Sequence, residues 1–298
     1  MLLNKNIPVL YVVHKVKYEA LFVIALATTV SLLKKHYIEA LPDIPLAITA
    51  IMGTAISILL SFKLNQSYDR WWEARKLWGS IVNDSRSFVM QLQSLVNTDE
   101  KETIKKMALR QIAWCYALSQ SLRGYNMPQV GLQKFLNEDD FAYLNKHNNK
   151  PLALMQQHRE DLSRLKQHNK LELFAQLQLD STLVRLCDAM GGAERIKNTV
   201  FPVTYRIFLH FIIYIFVVFL SISLKDVPLH FEILILLVIS VGFFLLERSA
   251  TYMQDPFENK PTDTAMSTIS RTIEINILQL IGEENVPQPL KPESFYSM

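Results

Sequence analysis

The densest gathering of side chains able to do chemistry is NQSYDRWWEARKLWG, residues 65–79. Three tryptophans, two arginines, a lysine and two acids share these fifteen positions. Carboxylates and cations this close serve acid–base catalysis only beside a nucleophile and a group that orients the base, and no such set accompanies them. Glu73 instead lies three residues from Arg70 and from Lys76, a spacing at which helical neighbours form ion pairs. Trp71, Ala74, Trp78, Ile81, Val82, Ser85 and Phe88 fall on one stripe of a continuing helix. Tyr68, Trp71 and Trp72 carry the amphipathic rings that gather at a membrane–water boundary. Arg70, Trp71, Trp72, Glu73, Arg75 and Trp78 therefore read as a structural motif.

Other candidates are thinner. His147, His158 and His168 lie in polar helix or loop contexts, and none has a second histidine at the short spacing of a zinc site. Cys115 and Cys187 are far apart and read as reduced thiols, neither a disulfide framework nor a metal-ligand pair. A formal net charge of +3, with no recognition-helix or zinc-finger pattern, gives no ground for nucleic-acid binding. There is no glycine-rich phosphate loop. The expectation is a chain with no cofactor, no metal and no enzymatic activity.

The elements that must position the motif are written in hydropathy. Half of the residues are hydrophobic and only 20% are charged, which is apolar for a soluble domain. Two runs, residues 18–33 and 44–62, each approach the ~20 residues needed to cross a bilayer core. The first contains Ala25-Leu26-Ala27, similar to a signal-cleavage site, but that site lies inside the run and leaves too short an apolar region before it. Residues 203–224 and 229–246 form a second pair, joined by Lys225 to Pro228 as a tight hairpin.

Between the pairs, DRWWEARKLWGSIVNDSRSFVMQLQSLV, KETIKKMALRQIAWCYALSQSLRG and LELFAQLQLDSTLVRLCDAMGG repeat apolar residues at helical steps. Gly124 and Gly191-Gly192 suit helix stops, and LNKHNNKPLALMQQH reads as a turn. The chain turns polar again at Glu247. AMSTISRTIEINILQLIG is helix-like, and EENVPQPLKPESFYSM has the composition of a disordered tail. The fold expected is an all-α membrane protein. Residues 1–64 form an N-terminal segment and two transmembrane helices, 65–200 a cytosolic helical bundle, 201–253 two further transmembrane helices, and 254–298 a cytosolic tail. Lys5, Lys15, Lys17, Arg70, Arg75, Lys76 and Arg86 place both termini in the cytoplasm, against Lys34 and Lys35.

Within the second run, Gly53, Ser57 and Ser61 recur at four-residue steps, a small-residue stripe that lets helices approach closely. Beside it Thr54, Ile58 and Phe62 recur at the same step. This second stripe suits lipid or a neighbouring helix. The alternative is a pore whose apolar rings gate by dewetting, provided several copies close into a ring. A secondary transporter would instead carry ionisable groups near mid-membrane; Arg206 and Glu232 sit near span ends, and only His210 lies deeper. A membrane-anchored interaction protein is the other alternative.

GTAISILLSFKLNQSYDRWWEARKLWGSIVNDSR resembles the signature of the bestrophins in their bacterial branch. GGAERIKNTVFPVTY before the third span, and DPFENKPTDTAM and RTIEINILQLIG after the fourth, agree in order, so the resemblance covers nearly the whole chain. It implies a homopentameric ion channel with four membrane helices per subunit in a bacterial inner membrane, passing small monovalent ions. It implies one axial pore whose apolar neck falls at Thr54, Ile58 and Phe62, with the threonine a departure toward polarity. The family has a second, cytosolic constriction; no motif matches it residue by residue, and Leu173 and Leu177 are the candidates. Animal members bind calcium at an acidic cluster after the fourth span. Here Asp255, Glu258 and Asp263, interrupted by Lys260 and Pro261, supply too few of the about six to eight oxygens that calcium takes. A turn tying down the tail is expected there. Apolar rings choose no sign of charge. The bacterial branch is associated with monovalent cations, so sodium is favoured over chloride, with Asp180 or Asp188 able to favour cations.

Overall fold

Long apolar stretches satisfy their backbone polar groups in a bilayer by coiling into helices, and the polar stretches carry the same periodicity. A computed structural model describes residues 8–37, 42–124, 131–292 and 295–296. Among these residues the regular elements are nine α-helices: α1 Val9–Tyr37, α2 Leu46–Leu95, α3 Lys101–Leu122, α4 Glu138–Asn145, α5 Lys150–Gln167, α6 Leu173–Asn198, α7 Val203–Ser223, α8 Leu229–Gln254 and α9 Met266–Leu280. Lys5, one of the expected markers of orientation, lies outside the described residues. The chain divides into two units at Arg70–Trp71, Thr199–Val200 and Gln254–Asp255.

The first unit holds α1, the N-terminal part of α2, α7 and α8. All four helices are long and apolar enough to cross a membrane. Val23, Ala27, Ile56, Leu209, Ile213, Val217, Leu236 and Phe244 form its core. A Cβ on Gly53 would lie 3.3 Å from the Phe216 ring, so this glycine seats α7 against α2. Tyr205 adds a hydroxyl donated to the Leu59 carbonyl at 3.0 Å. Two boundaries differ from the hydropathy reading. The first helix starts at Val9 instead of Tyr18, because its early turns bury Val16 and lay Lys15 over the Tyr252 ring at 3.6 Å. The fourth runs eight residues past Leu246, because ERSATYMQ buries one side through Glu247, Ala250 and Gln254.

The second unit holds the rest of α2 with α3 to α6 and α9. Trp78, Ile81, Phe88, Leu92, Ile112, Trp114, Leu154, Leu183 and Ile273 are among its core residues. The stripe read from Trp71 onward is here: Ala74, Trp78, Ile81, Ser85 and Phe88 are all buried. Gly124 follows α3 with φ +71°, a left-handed stop that glycine adopts without strain.

Three readings are corrected in this unit. LNKHNNKPLALMQQH is a turn only between the end of α4 at Asn145 and the start of α5 at Lys150. Asn149 accepts from the Leu152 N–H at 3.0 Å, and Pro151 falls in the first helical turn, where its missing N–H costs nothing. Gly191-Gly192 does not stop α6, which continues to Asn198. A Cβ on Gly192 would meet Leu77 Cδ2 at 2.9 Å, so the glycine serves a close crossing of α6 and α2. Finally, the stretch after α9 is packed over its described part. Glu283 pairs with Lys105, Arg271 donates to the Gln288 carbonyl at 3.3 Å, and Val286 rests on the core.

Candidate functional site

α2 turns by about 100° per residue, so its faces can be read by number. Thr49, Ile56, Leu60, Lys63 and Ser67 are buried and define its back. Measured from Lys63, Phe62 points about 100° away, Ile58 about 140° and Thr54 about 180°. The expected stripe is thus turned away from the helices that pack on α2. Ile58 is 52% and Phe62 61% exposed in the single chain. Thr54 donates to Ala50 O at 2.9 Å, and Ser57 and Ser61 donate to Gly53 O and Ser57 O at 2.8 Å. These hydroxyls are spent on their own helix. Of the small-residue stripe, Gly53 packs within the chain, whereas Ser57 and Ser61 lie on the exposed side.

The tryptophan-rich motif is a set of ties. Arg70 Nε donates to the Gln254 carbonyl at 2.5 Å, in the first unit. Trp71 Nε1 donates to the Thr262 carbonyl at 3.0 Å, in the second, and its ring stacks on Trp72 at 6.2 Å. Glu73 takes Lys76, at 2.6 Å, as its partner. Arg75 is half-buried and Trp78 wholly buried. Of the candidates for a cytosolic constriction, Leu173 and Leu177 begin α6 at 51% and 57% exposure, next to Phe174. Asp180 is paired with Arg159 at 2.9 Å, which offsets its charge, while Asp188 is exposed.

In the acidic stretch after α8, Glu258 binds Lys197 at 2.7 Å, which lowers its carboxyl below the usual range. Asp263 accepts from the Lys260 N–H at 3.0 Å. Burial pushes its carboxyl up to about 6. Burial also pushes the Cys115 thiol up to about 12, which keeps it an inert thiol. His158, expected in a polar setting, is wholly buried against the Phe88 ring, and burial holds it neutral. Among the described residues no three His, Cys, Asp or Glu side chains are grouped to hold a metal.

Sequence reasoning missed the buried charges of the first unit. Lys63 donates to Glu247 at 2.6 Å and to Thr251 at 3.0 Å, with the pair 0% and 1% exposed. His210 Nε2 lies 3.4 Å from the other Glu247 oxygen. Arg248 pairs with Glu19 at 2.6 Å, and Glu232 accepts from Ser221 at 2.7 Å. The only signal was position: Lys63 and Glu247 each sit flush against the end of an apolar run.

Comparison with known proteins follows the same lines. The family described as Bacterial/Fungal Bestrophin protein matches residues 9–279. The voltage-dependent anion channel-forming protein RSc3414 of Ralstonia nicotianae is 29% identical over 265 residues, 87% of this chain and 85% of that one. The voltage-dependent anion channel-forming protein YneE of Escherichia coli K12 is 30% identical over 254 residues, 85% of this chain and 82% of that one. A crystal structure of a bacterial bestrophin homolog from Klebsiella pneumoniae superposes with a TM-score of 0.86 at 23% identity, covering 91% of this chain and all of that one. That likeness bears on the fold. The resemblance read from the tryptophan motif holds, and with it the absence of an enzymatic role. The chain is a multi-pass membrane protein that belongs to the bacterial and fungal bestrophin family.

Proposed function

We propose that this protein is a passive anion channel of a bacterial inner membrane, assembled as a homopentamer with both termini in the cytoplasm. Thr54, Ile58 and Phe62 of each copy line its neck, and Leu173 and Leu177 line a second constriction. The observation that carries the reading is the division of α2: a back fixed by buried packing and a buried ion pair, and a front of Thr54, Ile58 and Phe62 left uncovered in the single chain. One copy of four spans has no means of enclosing that front, whereas copies related by a rotation that closes do so. Ser57 and Ser61, exposed and small, are suited to the contact between neighbouring second helices.

The choice of anions reverses the preference for sodium drawn from the family branch. Support comes from the relatives, which are named as anion channel-forming proteins, and from Arg159, which offsets Asp180. The neck itself carries no charge and discriminates by dewetting and size. The deciding measurement is the reversal potential of purified protein in a planar bilayer under a potassium chloride gradient, with oligomer mass taken in parallel. A reversal toward the chloride equilibrium potential is expected. Reversal toward that of potassium rejects the anion assignment, and a monomer without current rejects the channel.

A further inference from the structure

Leu10, Val13, His14, Lys17, Tyr18 and Leu21 follow one another at three- and four-residue steps, so they share one stripe of α1. All six are exposed, Leu10 at 75% and Val13 at 51%. The opposite side is buried through Val16, Glu19 and Val23. The stripe therefore looks away from the helices that pack on α1. Its level in the bilayer follows from length. Leu10–Leu33 is 24 residues, about 36 Å of helix, against a hydrocarbon core of about 30 Å. A core that ends at Leu33, just before Lys34 and Lys35, takes about 20 residues and begins at His14. Lys17 is then just inside the boundary, while Leu10 and Val13 stand just outside it, in the headgroup layer.

Helical side chains lean toward the N-terminus, and Lys17 follows that direction: its Nζ donates to His14 Nε2 at 3.3 Å. A lysine at the end of an apolar helix is accommodated in this way, its stem in hydrocarbon and its charge returned to the boundary. The charge arrives there unmatched. Among the described residues Lys17 meets no carboxylate, and its other neighbour is the Tyr18 ring at 4.8 Å. Glu19, the acid of α1, lies on the buried side and is held by Arg248 at 2.6 Å. A ring nitrogen that accepts from an ammonium carries no proton, so His14 has its N–H at Nδ1 and offers a second donor beside the ammonium.

We propose that this face of α1 is a docking site for one anionic phospholipid per copy. The lipid phosphate takes the Lys17 ammonium and the His14 N–H. The headgroup covers Val13 and Leu10, the Tyr18 ring lies at the headgroup level where such rings gather, and an acyl chain runs along the exposed Leu21 and Ile24. Charge complementarity selects the occupant. A headgroup of net negative charge answers an unmatched cation, whereas a choline headgroup brings a second cation to it. The site needs only that α1 crosses the membrane and is independent of ion conduction.

The test is native mass spectrometry of the purified protein in detergent, given phosphatidylglycerol and phosphatidylcholine in equal amounts. Phosphatidylglycerol should be retained about fivefold over phosphatidylcholine, at one lipid per copy, the usual weight of one basic residue near an anionic surface. Lys17→Gln should abolish the preference and Lys17→Arg should keep it. Lys15→Gln should leave it unchanged, because that ammonium lies over the Tyr252 ring on another face. Val13→Lys puts a second cation on the same exposed stripe and should raise the preference by about a further fivefold, which reads the site even where Lys17→Gln fails to fold. Equal retention of the two lipids by wild type, a preference kept in full by Lys17→Gln, the same loss in Lys15→Gln, or no gain in Val13→Lys overturns the inference. Displacement of bound phosphatidylglycerol by inorganic phosphate also overturns it, by making this a site for a free anion. So does a Lys17→Gln protein whose oligomer mass changes while its lipid retention does not, which assigns the face to a second copy.

Discussion

Replacing Arg110 with methionine should destabilise the second unit by about 3 kcal/mol. The guanidinium is 1% exposed, donates to Asp161 at 2.5 Å and reaches both oxygens of Asp140 at 3.2 Å. Methionine keeps much of the length but leaves two carboxylates, each 5% exposed, facing an apolar chain. Removing one partner of a buried ion pair costs about 3–5 kcal/mol. Two features hold the value at the lower end. Asp161 keeps Arg164 at 2.9 Å, and Asp140 keeps Gln157 at 3.1 Å and Lys106 at 3.5 Å. The wild type also carries an unmet donor at Arg110 Nε, and its removal returns about 1 kcal/mol. In a unit of this size the loss corresponds to a melting shift of roughly 6–12 °C. It is read from the fluorescence of Trp78 and Trp114, both buried there. Adding Asp140→Asn and Asp161→Asn should recover most of it, since the stranded charges are then gone. A loss below about 1 kcal/mol, or a triple variant no more stable than the single one, would refute the reasoning.

Asp263 sets a pH dependence of known sign. Its carboxyl, raised from 3.8 to about 6 by burial, keeps a proton in the folded state that the unfolded chain gives up. Its contribution to stability is therefore full at low pH and is lost as pH rises through roughly 4 to 6. Asp263→Asn keeps an acceptor for the Lys260 N–H and should be more stable than wild type at pH 7.5 by about 2 kcal/mol, the advantage vanishing near pH 4. Parallel melting curves for the two proteins over this range count against it. On the proposed neck, Ile58→Ala and Phe62→Ala should each raise single-channel current by about twofold or more, and unchanged conductance and selectivity in both would remove these residues from the ion path.

The periodic parts of this molecule were open to reading from the chain alone. A stripe such as Trp71 to Phe88 declares its face because one side is apolar and the other charged, and the four-residue step of Thr54, Ile58 and Phe62 puts them on one side of α2, the side left uncovered in the single chain. Glycine was harder, because it punctuates helices and also lets them touch. At Gly124 the first role holds, and at Gly192 the second, decided by where Leu77 lies in a helix more than a hundred residues away. Asn149 and Pro151 begin a helix within a stretch whose composition reads as a turn, because a cap and a turn use the same residues. The Lys63–Glu247 pair had no local signature. Each residue alone looks like the polar end of a span, and only packing α2 against α8 shows that both are buried.

That pair also bears on how the protein is made. Lys63 leaves the ribosome 184 residues before Glu247, an interval of about 10–40 s at ordinary rates of synthesis. Throughout it a lysine at the edge of an apolar helix has no carboxylate to meet, and its burial in hydrocarbon would cost about 2.5–3.5 kcal/mol or more. The second span must therefore wait near the aqueous boundary, its ammonium in water, until the fourth is threaded. Chains cut short before α8 should remain loosely inserted and open to membrane proteases, so the last span to be synthesised is the one that locks the second in place.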